Sequence, residues 1–230
     1  SLGNVMLGLG DTVSVTMEDM IHHGAAVARG TKNALVVVDM PFMSYQSSVY
    51  DAVVNAGRLM KEARANAVKL EGGVEVADRI RAIVDCQIPV CAHIGLTPQG
   101  INALGGFKVQ GKTADSARKL LEDAHAVEEA GAFAVVLEAI PAELAERVSA
   151  ELTIPTIGIG AGAGCDGQVL VNQDMLGMFH DFTPKFVRRF AEVGDVMLEA
   201  YRAYDAAVKD GSFPAAEHTY AAPAGVLENL

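Results

Sequence analysis

At 230 residues, half of them hydrophobic and a fifth charged, the chain holds enough apolar material for one sizeable core and too little polar bias for a disordered tail. Its 18 Lys and Arg against 29 Asp and Glu leave a formal charge of −11, which argues against a nucleic-acid or anionic-membrane surface. Three cysteines, Cys86, Cys91 and Cys165, lack the paired spacing of a disulfide framework or a zinc site and point to free thiols in a reducing, cytoplasmic compartment. No apolar run reaches the ~18 to 20 residues of a membrane span. Ser1–Gly10 is Gly-rich without a basic leader, and a start without methionine reads as that of a fragment or a processed chain.

In chain order, the first helix signal is Thr16 followed by Glu18 and Asp19, a start that Gly30 is placed to stop. Short apolar runs then recur, each followed by a helical stretch: residues 34–39 (ALVVVD), 67–71 (AVKLE), 88–93 (IPVCAH), 132–138 (AFAVVLE), 154–160 (IPTIGIG) and 168–172 (QVLVN). Thr113 with Asp115 opens a helix that closes at Gly131, Pro141 suits the first turn of another, and a longer helix is expected over 184–209. Such alternation means a parallel sheet with crossover helices, and the absence of repeats or linkers makes residues 1–230 a single domain.

Either an open doubly wound sheet or a closed barrel accommodates this pattern. Asp39, Glu71, His93 and Glu138 each end a different strand, which suits a barrel whose carboxyl-end face is ringed by functional groups. A full barrel needs ~8 strands and the runs above supply six, so the expected fold is an α/β, (β/α)8 TIM-type barrel that is N-terminally incomplete, lacking its first strand and helix.

Within VKLEGG, Lys69 and Glu71 are two apart on a strand and project to the same side, as a structural ion pair or as ligand-binding groups. Asp39, in VVVDMPF, either caps the next helix or, with Glu71, offers the few oxygen ligands that Mg²⁺ prefers. His93 opens HIGLTPQ; a lone strand-end histidine is more often a hydrogen-bonded core residue than a catalyst. Glu138 closes a very apolar run, which suits a general base, unless a neighbouring basic group simply holds it. GIGAGAG, residues 158–164, lacks the Lys and Ser/Thr of a phosphate loop and reads as a tight strand-to-loop turn. His22, His23, His125, His180 and His218 are expected at the surface or an interface.

Taken in order, SLGNVMLG, TMEDMIHH, VVVDMPF, VKLEGG, HIGLTPQ, LGGFKVQGK, AFAVVLEAIPAELA, IPTIGIGAG, CDGQVLV and FPAAEHTY span nearly the whole chain and resemble the ketopantoate hydroxymethyltransferase family. The resemblance implies a Mg²⁺-dependent one-carbon transferase on a (β/α)8 barrel. Such an enzyme moves a hydroxymethyl unit from 5,10-methylenetetrahydrofolate to 3-methyl-2-oxobutanoate, giving 2-dehydropantoate in pantothenate synthesis. By the same resemblance Asp39 is a direct metal ligand, Glu71 an acid near the metal, Lys69 and Ser1 hold the substrate carboxylate, His93 lines the pocket and Glu138 is the base. Small-molecule substrates and a homo-oligomer, a decamer in bacterial members, are implied as well. The family motif reads Gly-Asp-Ser-Leu-Gly and this chain begins at its Ser, so the Asp that is the other direct ligand is expected before Ser1. Two rival readings are a Mg²⁺-dependent 2-oxo acid lyase of the isocitrate lyase and phosphoenolpyruvate mutase type, whose cysteine-bearing loop is not found, and an inactive truncated barrel serving as an assembly subunit.

Overall fold

Five of the six apolar runs become strands and the sixth contributes only Gln168, and each strand lies beside the next one in the chain. The computed structural model describes residues 1–228 and divides into two compact units, one of residues 1–171 and one beginning at Asn172. In the first unit the elements run α1 (Leu2–Val5), α2 (Met17–Gly30), β1 (Val37–Asp39), α3 (Val49–Lys61), β2 (Ala67–Glu71), α4 (Ala77–Asp85), β3 (Val90–Gly95), α5 (Ile101–Leu104), α6 (Ala114–Glu129), β4 (Ala134–Glu138), α7 (Ala142–Glu151), β5 (Thr156–Ile159) and β6 (Gly167–Gln168).

The helices α2, α3 and α6 start where a side chain satisfies a first-turn amide. Thr16 accepts from Asp19 N–H while Asp19 reaches back to the Thr16 amide, and Thr113 makes the same reciprocal pair with Ser116. Ser48 caps α3 by accepting from Asp51 N–H. That removes one reading of Asp39, because the helix after β1 finds its cap nine residues further on.

All the strands are parallel and in consecutive order, β1-β2-β3-β4-β5-β6. Side chains alternate between the two faces of a strand. One face carries Val38, Val68, Leu70, Val90, Ala92, Ile94, Val135 and Leu137, which join Ala52, Leu59, Ile80, Ile83, Leu120, Val127 and Val148 of the helices in one buried core. The opposite face carries Asp39, Lys69, Glu71, Cys91, His93 and Glu138. An order without reversal, with helices gathered on one face, is the winding of a (β/α) barrel; a doubly wound sheet reverses its order and covers both faces.

Two boundaries differ from the sequence reading. β6 is only Gly167–Gln168, on the edge of the sheet. In the second unit, after α8 (Asn172–Met175), the long helix α9 spans Val193–Asp210 and does not begin at Pro184. The intervening backbone has other partners: Phe190 N–H donates to Met175 C=O, Val193 N–H to Leu176 C=O and Val187 N–H to Pro184 C=O. Arg189 meanwhile reaches Phe179 C=O, Thr183 Oγ1 and the Glu192 carboxylate. Among the described residues no helix is long and apolar enough to cross a membrane.

Candidate active site

The strand register assembles what the sequence scatters. Asp39 lies beside Lys69, Lys69 beside Cys91, Glu71 beside His93, and Gly95 beside Glu138 as in-register partners on β1 to β4. Every one of the four acidic or imidazole strand ends therefore comes to the carboxyl end of the same sheet face, with Lys69 among them. Lys69 Nζ is 2.8 Å from Asp39 Oδ1 and 3.2 Å from His93 Nδ1. His93 Nδ1 is 3.8 Å from Glu71 Oε1, and its Nε2 is 3.0 Å from Glu138 Oε2. The neighbouring basic group that Glu138 could have had is thus His93.

The turns that follow these strands explain the glycines of the motifs. A Cβ at Gly73 would lie 2.0 Å from Asp123 Oδ1, the oxygen that accepts Val74 N–H, so the chain can leave Glu71 only through a residue without a side chain. Gly95 has φ +92°, and a Cβ there would stand 2.4 Å from Glu138 C=O. GIGAGAG likewise forms a bend after β5, with Gly160 and Gly162 at positive φ.

Burial sets the electrostatics. Glu71 and His93 are almost fully enclosed, and Asp39 and Lys69 are partly so. Burial pushes the Glu71 pKa above the usual carboxylate value; the charges of Lys69 and His93 oppose this and that of Asp39 adds to it. For Lys69 burial acts against the ammonium, but the carboxylates of Asp39 and Glu71 outweigh it and hold the pKa above that of an ordinary lysine. Burial lifts the Cys91 thiol to about 11, which leaves it a neutral, unreactive filler next to Lys69. A lysine ammonium can only donate, so in the neutral ring His93 Nδ1 accepts and the proton resides on Nε2, facing Glu138.

Ser1 is exposed and stands at the start of α1, its C=O accepting Asn4 N–H and Val5 N–H. The remaining histidines stay outside: His22 and His23 stack edge to face at 5.2 Å, His125 pairs with Glu151 on the surface, and His180 and His218 are exposed.

Could these residues hold a cation? Among the described residues no three His, Cys, Asp or Glu converge as a ready ligand cage. Asp39 Oδ1, however, is a buried carboxylate oxygen without an aligned hydrogen bond, because the Lys69 ammonium meets it off axis. Glu71 commits only Oε2, to Gln99 N–H at 2.9 Å. Two hard oxygens with free lone pairs fit Mg²⁺, which keeps several waters and takes few protein ligands.

Sequence reasoning missed Tyr45 and Gln99, both buried directly behind Glu71. Tyr45 sits in an apolar run, MPFMSY, and Gln99 ends a loop notable only for its histidine, so neither carries a periodic or compositional mark.

The family model described as Ketopantoate hydroxymethyltransferase matches residues 1–216. A 3-methyl-2-oxobutanoate hydroxymethyltransferase of Clostridium novyi is 66% identical over 230 residues, covering 100% of this chain and 84% of that one. The enzyme of the same name from Enterococcus faecalis gives the same figures, and that of Clostridium acetobutylicum is 60% identical over 100% of this chain and 83% of its own. Two solved structures from Burkholderia cenocepacia are more distant. A putative phosphonomutase has 16% identity and TM-score 0.46 over 85% of this chain and 79% of its own; a putative lyase/mutase has 19% and 0.49 over 100% and 80%. Matched by that model over residues 1–216 and by transferases along its full length, the chain belongs to the ketopantoate hydroxymethyltransferase family.

Proposed function

We propose that this chain transfers a hydroxymethyl unit from 5,10-methylenetetrahydrofolate to 3-methyl-2-oxobutanoate, giving 2-dehydropantoate for pantothenate synthesis, as a cytoplasmic homo-oligomer. The observation that carries the reading is the single cluster of Asp39, Lys69, Glu71, His93 and Glu138 on one sheet face of a chain in this family.

Asp39 would hold Mg²⁺ directly, with Glu71 beside it through water. Bound there, the ion supplies a Lewis acid for the keto and carboxylate oxygens of the substrate. Lys69, whose charge the two carboxylates preserve, binds the substrate carboxylate together with Ser1. Water cleaves both C–N bonds of the methylene bridge, its two hydrogens passing to the folate nitrogens and its oxygen staying on the one-carbon unit as formaldehyde. Glu138 removes the proton from C3 of the keto acid, the electron pair left behind forms the bond to that carbon, and the proton passes to its oxygen as the new hydroxyl. His93 presents Nε2–H to Glu138 at 3.0 Å, out of line here, and steers the carboxylate; such contacts commonly tighten once substrate is bound.

Turnover of 3-methyl-2-oxobutanoate with methylenetetrahydrofolate, measured with and without Mg²⁺, tests the reading. Metal-dependent formation of 2-dehydropantoate is expected, and Asp39→Asn lowers Mg²⁺ affinity in titration calorimetry by removing a charge from a hard-cation site. Unchanged affinity returns Asp39 to a purely structural pairing with Lys69. Absence of turnover with metal and both substrates favours the inactive assembly subunit.

A further inference from the structure

We propose that Tyr45 and Gln99 act as one positioning pair that aims the Glu71 carboxylate and ties it to the strand end bearing Asp39. Both side chains are enclosed, Tyr45 at 1% exposure and Gln99 at 7%. The Tyr45 hydroxyl accepts Glu71 N–H at 3.1 Å and shares its one proton between Gln99 Oε1 at 3.0 Å and Glu71 C=O at 3.1 Å. Gln99 Nε2 donates to Met40 C=O, the residue after Asp39, at 2.8 Å. With its side chain held at both ends, Gln99 points its own backbone N–H at Glu71 Oε2. One carboxamide and one phenol therefore join the turns that follow β1 and β3 to the last residue of β2. Burial, then the charge of Glu71, pushes the Tyr45 pKa up, so the hydroxyl keeps the proton the network needs. Groups that orient a metal-associated carboxylate in this way are typically worth about 10- to 100-fold in metal affinity or activity.

The inference rests on the transferase reading of Glu71. Its test is Mn²⁺ binding, followed by electron paramagnetic resonance of the free ion, together with steady-state kinetics and melting temperature. The protein is compared as wild type, Tyr45→Phe, Gln99→Met and the double variant. Each single change is expected to weaken Mn²⁺ about tenfold and to lower kcat about tenfold at saturating metal, leaving the folate KM unchanged. The double variant should lose no more than about threefold beyond the worse single, because the two groups form one unit. Variants that melt earlier yet bind Mn²⁺ and turn over like wild type would reduce the pair to a structural fastening and overturn the proposal. Losses that multiply in the double variant overturn the claim of a single unit. If Gln99→Met does not fold, Tyr45→Phe, which keeps the ring and its volume, decides alone on the binding and kcat criteria. A wild-type protein that neither binds Mn²⁺ nor turns over overturns the transferase reading and this inference with it.

Discussion

The two faces of the sheet are made from alternate residues of the same strands, yet they live under opposite rules. On the helix side Leu70, Ile94 and Leu137 are 0 to 2% exposed and belong to the one buried hydrophobic core. On the other side Lys69, Glu71, His93 and Glu138 meet at distances of 2.8 to 3.8 Å from their nearest charged or imidazole partners. A step of one residue along β4, from Leu137 to Glu138, crosses from packing to chemistry. The lesson is that a pleated strand lets a packed apolar core and a polar cluster be specified independently, each with its own row of positions.

That independence can be broken from either side. The largest effect is expected for Glu138→Gln, which keeps size and most hydrogen bonding but cannot accept a proton. The rate should fall roughly 10²- to 10⁴-fold with the melting temperature nearly unchanged. Exchange of the substrate C3 hydrogen with deuterated water isolates the step; exchange at the wild-type rate would clear Glu138 of the role of base and make His93 the next residue to test. The mirror experiment is Leu137→Ala, one position away. Its removal from a fully buried site should cost about 2 to 5 kcal/mol in denaturant unfolding while the folded fraction keeps its KM and kcat. A catalytic defect of the same size as that of Glu138→Gln would show that the two faces are coupled.

Smaller effects sharpen the contrast within the polar face. Lys69→Met should raise the KM for the keto acid more than it lowers kcat, since a carboxylate contact present in ground and transition states is uniform binding. A loss confined to kcat would move Lys69 into the chemistry. The smallest effect belongs to the helix layer. Glu128 Oε1 accepts from Thr153 N–H, Thr153 Oγ1 and Ile154 N–H, fastening α6 to the chain just before β5. Partial burial works to raise the Glu128 pKa, but these donors outweigh it and hold the carboxyl below the usual range. Its contribution is therefore complete above the unfolded pKa of about 4.3 and is lost as pH falls through the lower folded value. Glu128→Gln should cost about 1 kcal/mol near neutrality, discounted for exposure, and the difference from wild type should shrink in urea titrations run at progressively lower pH.

How much of this was legible beforehand follows from the range of the interactions. Acids and a histidine ending apolar runs mark Asp39, Glu71, His93 and Glu138, and a period of two puts Lys69 with Glu71; both are local signals. That Lys69 touches Asp39, or that His93 faces Glu138, depends on the register between strands, which no single strand encodes. Tyr45 and Gln99 acquire their meaning only where the turns after β1 and β3 meet the end of β2. Helix α9 starts at Val193 and not at the expected Pro184 because the amides of Phe190 and Val193 are taken by carbonyls at residues 175 and 176, a competition invisible to helix periodicity.

Gly95 carries a practical consequence for anyone reshaping the pocket. Its place beside the Glu138 carbonyl admits no side chain, so β3 offers no position for substitution at the level of the proposed base. The other in-register neighbour of Glu138 is Ile159 of β5, and its aliphatic side chain can be trimmed or enlarged while the backbone beneath it stays as it is.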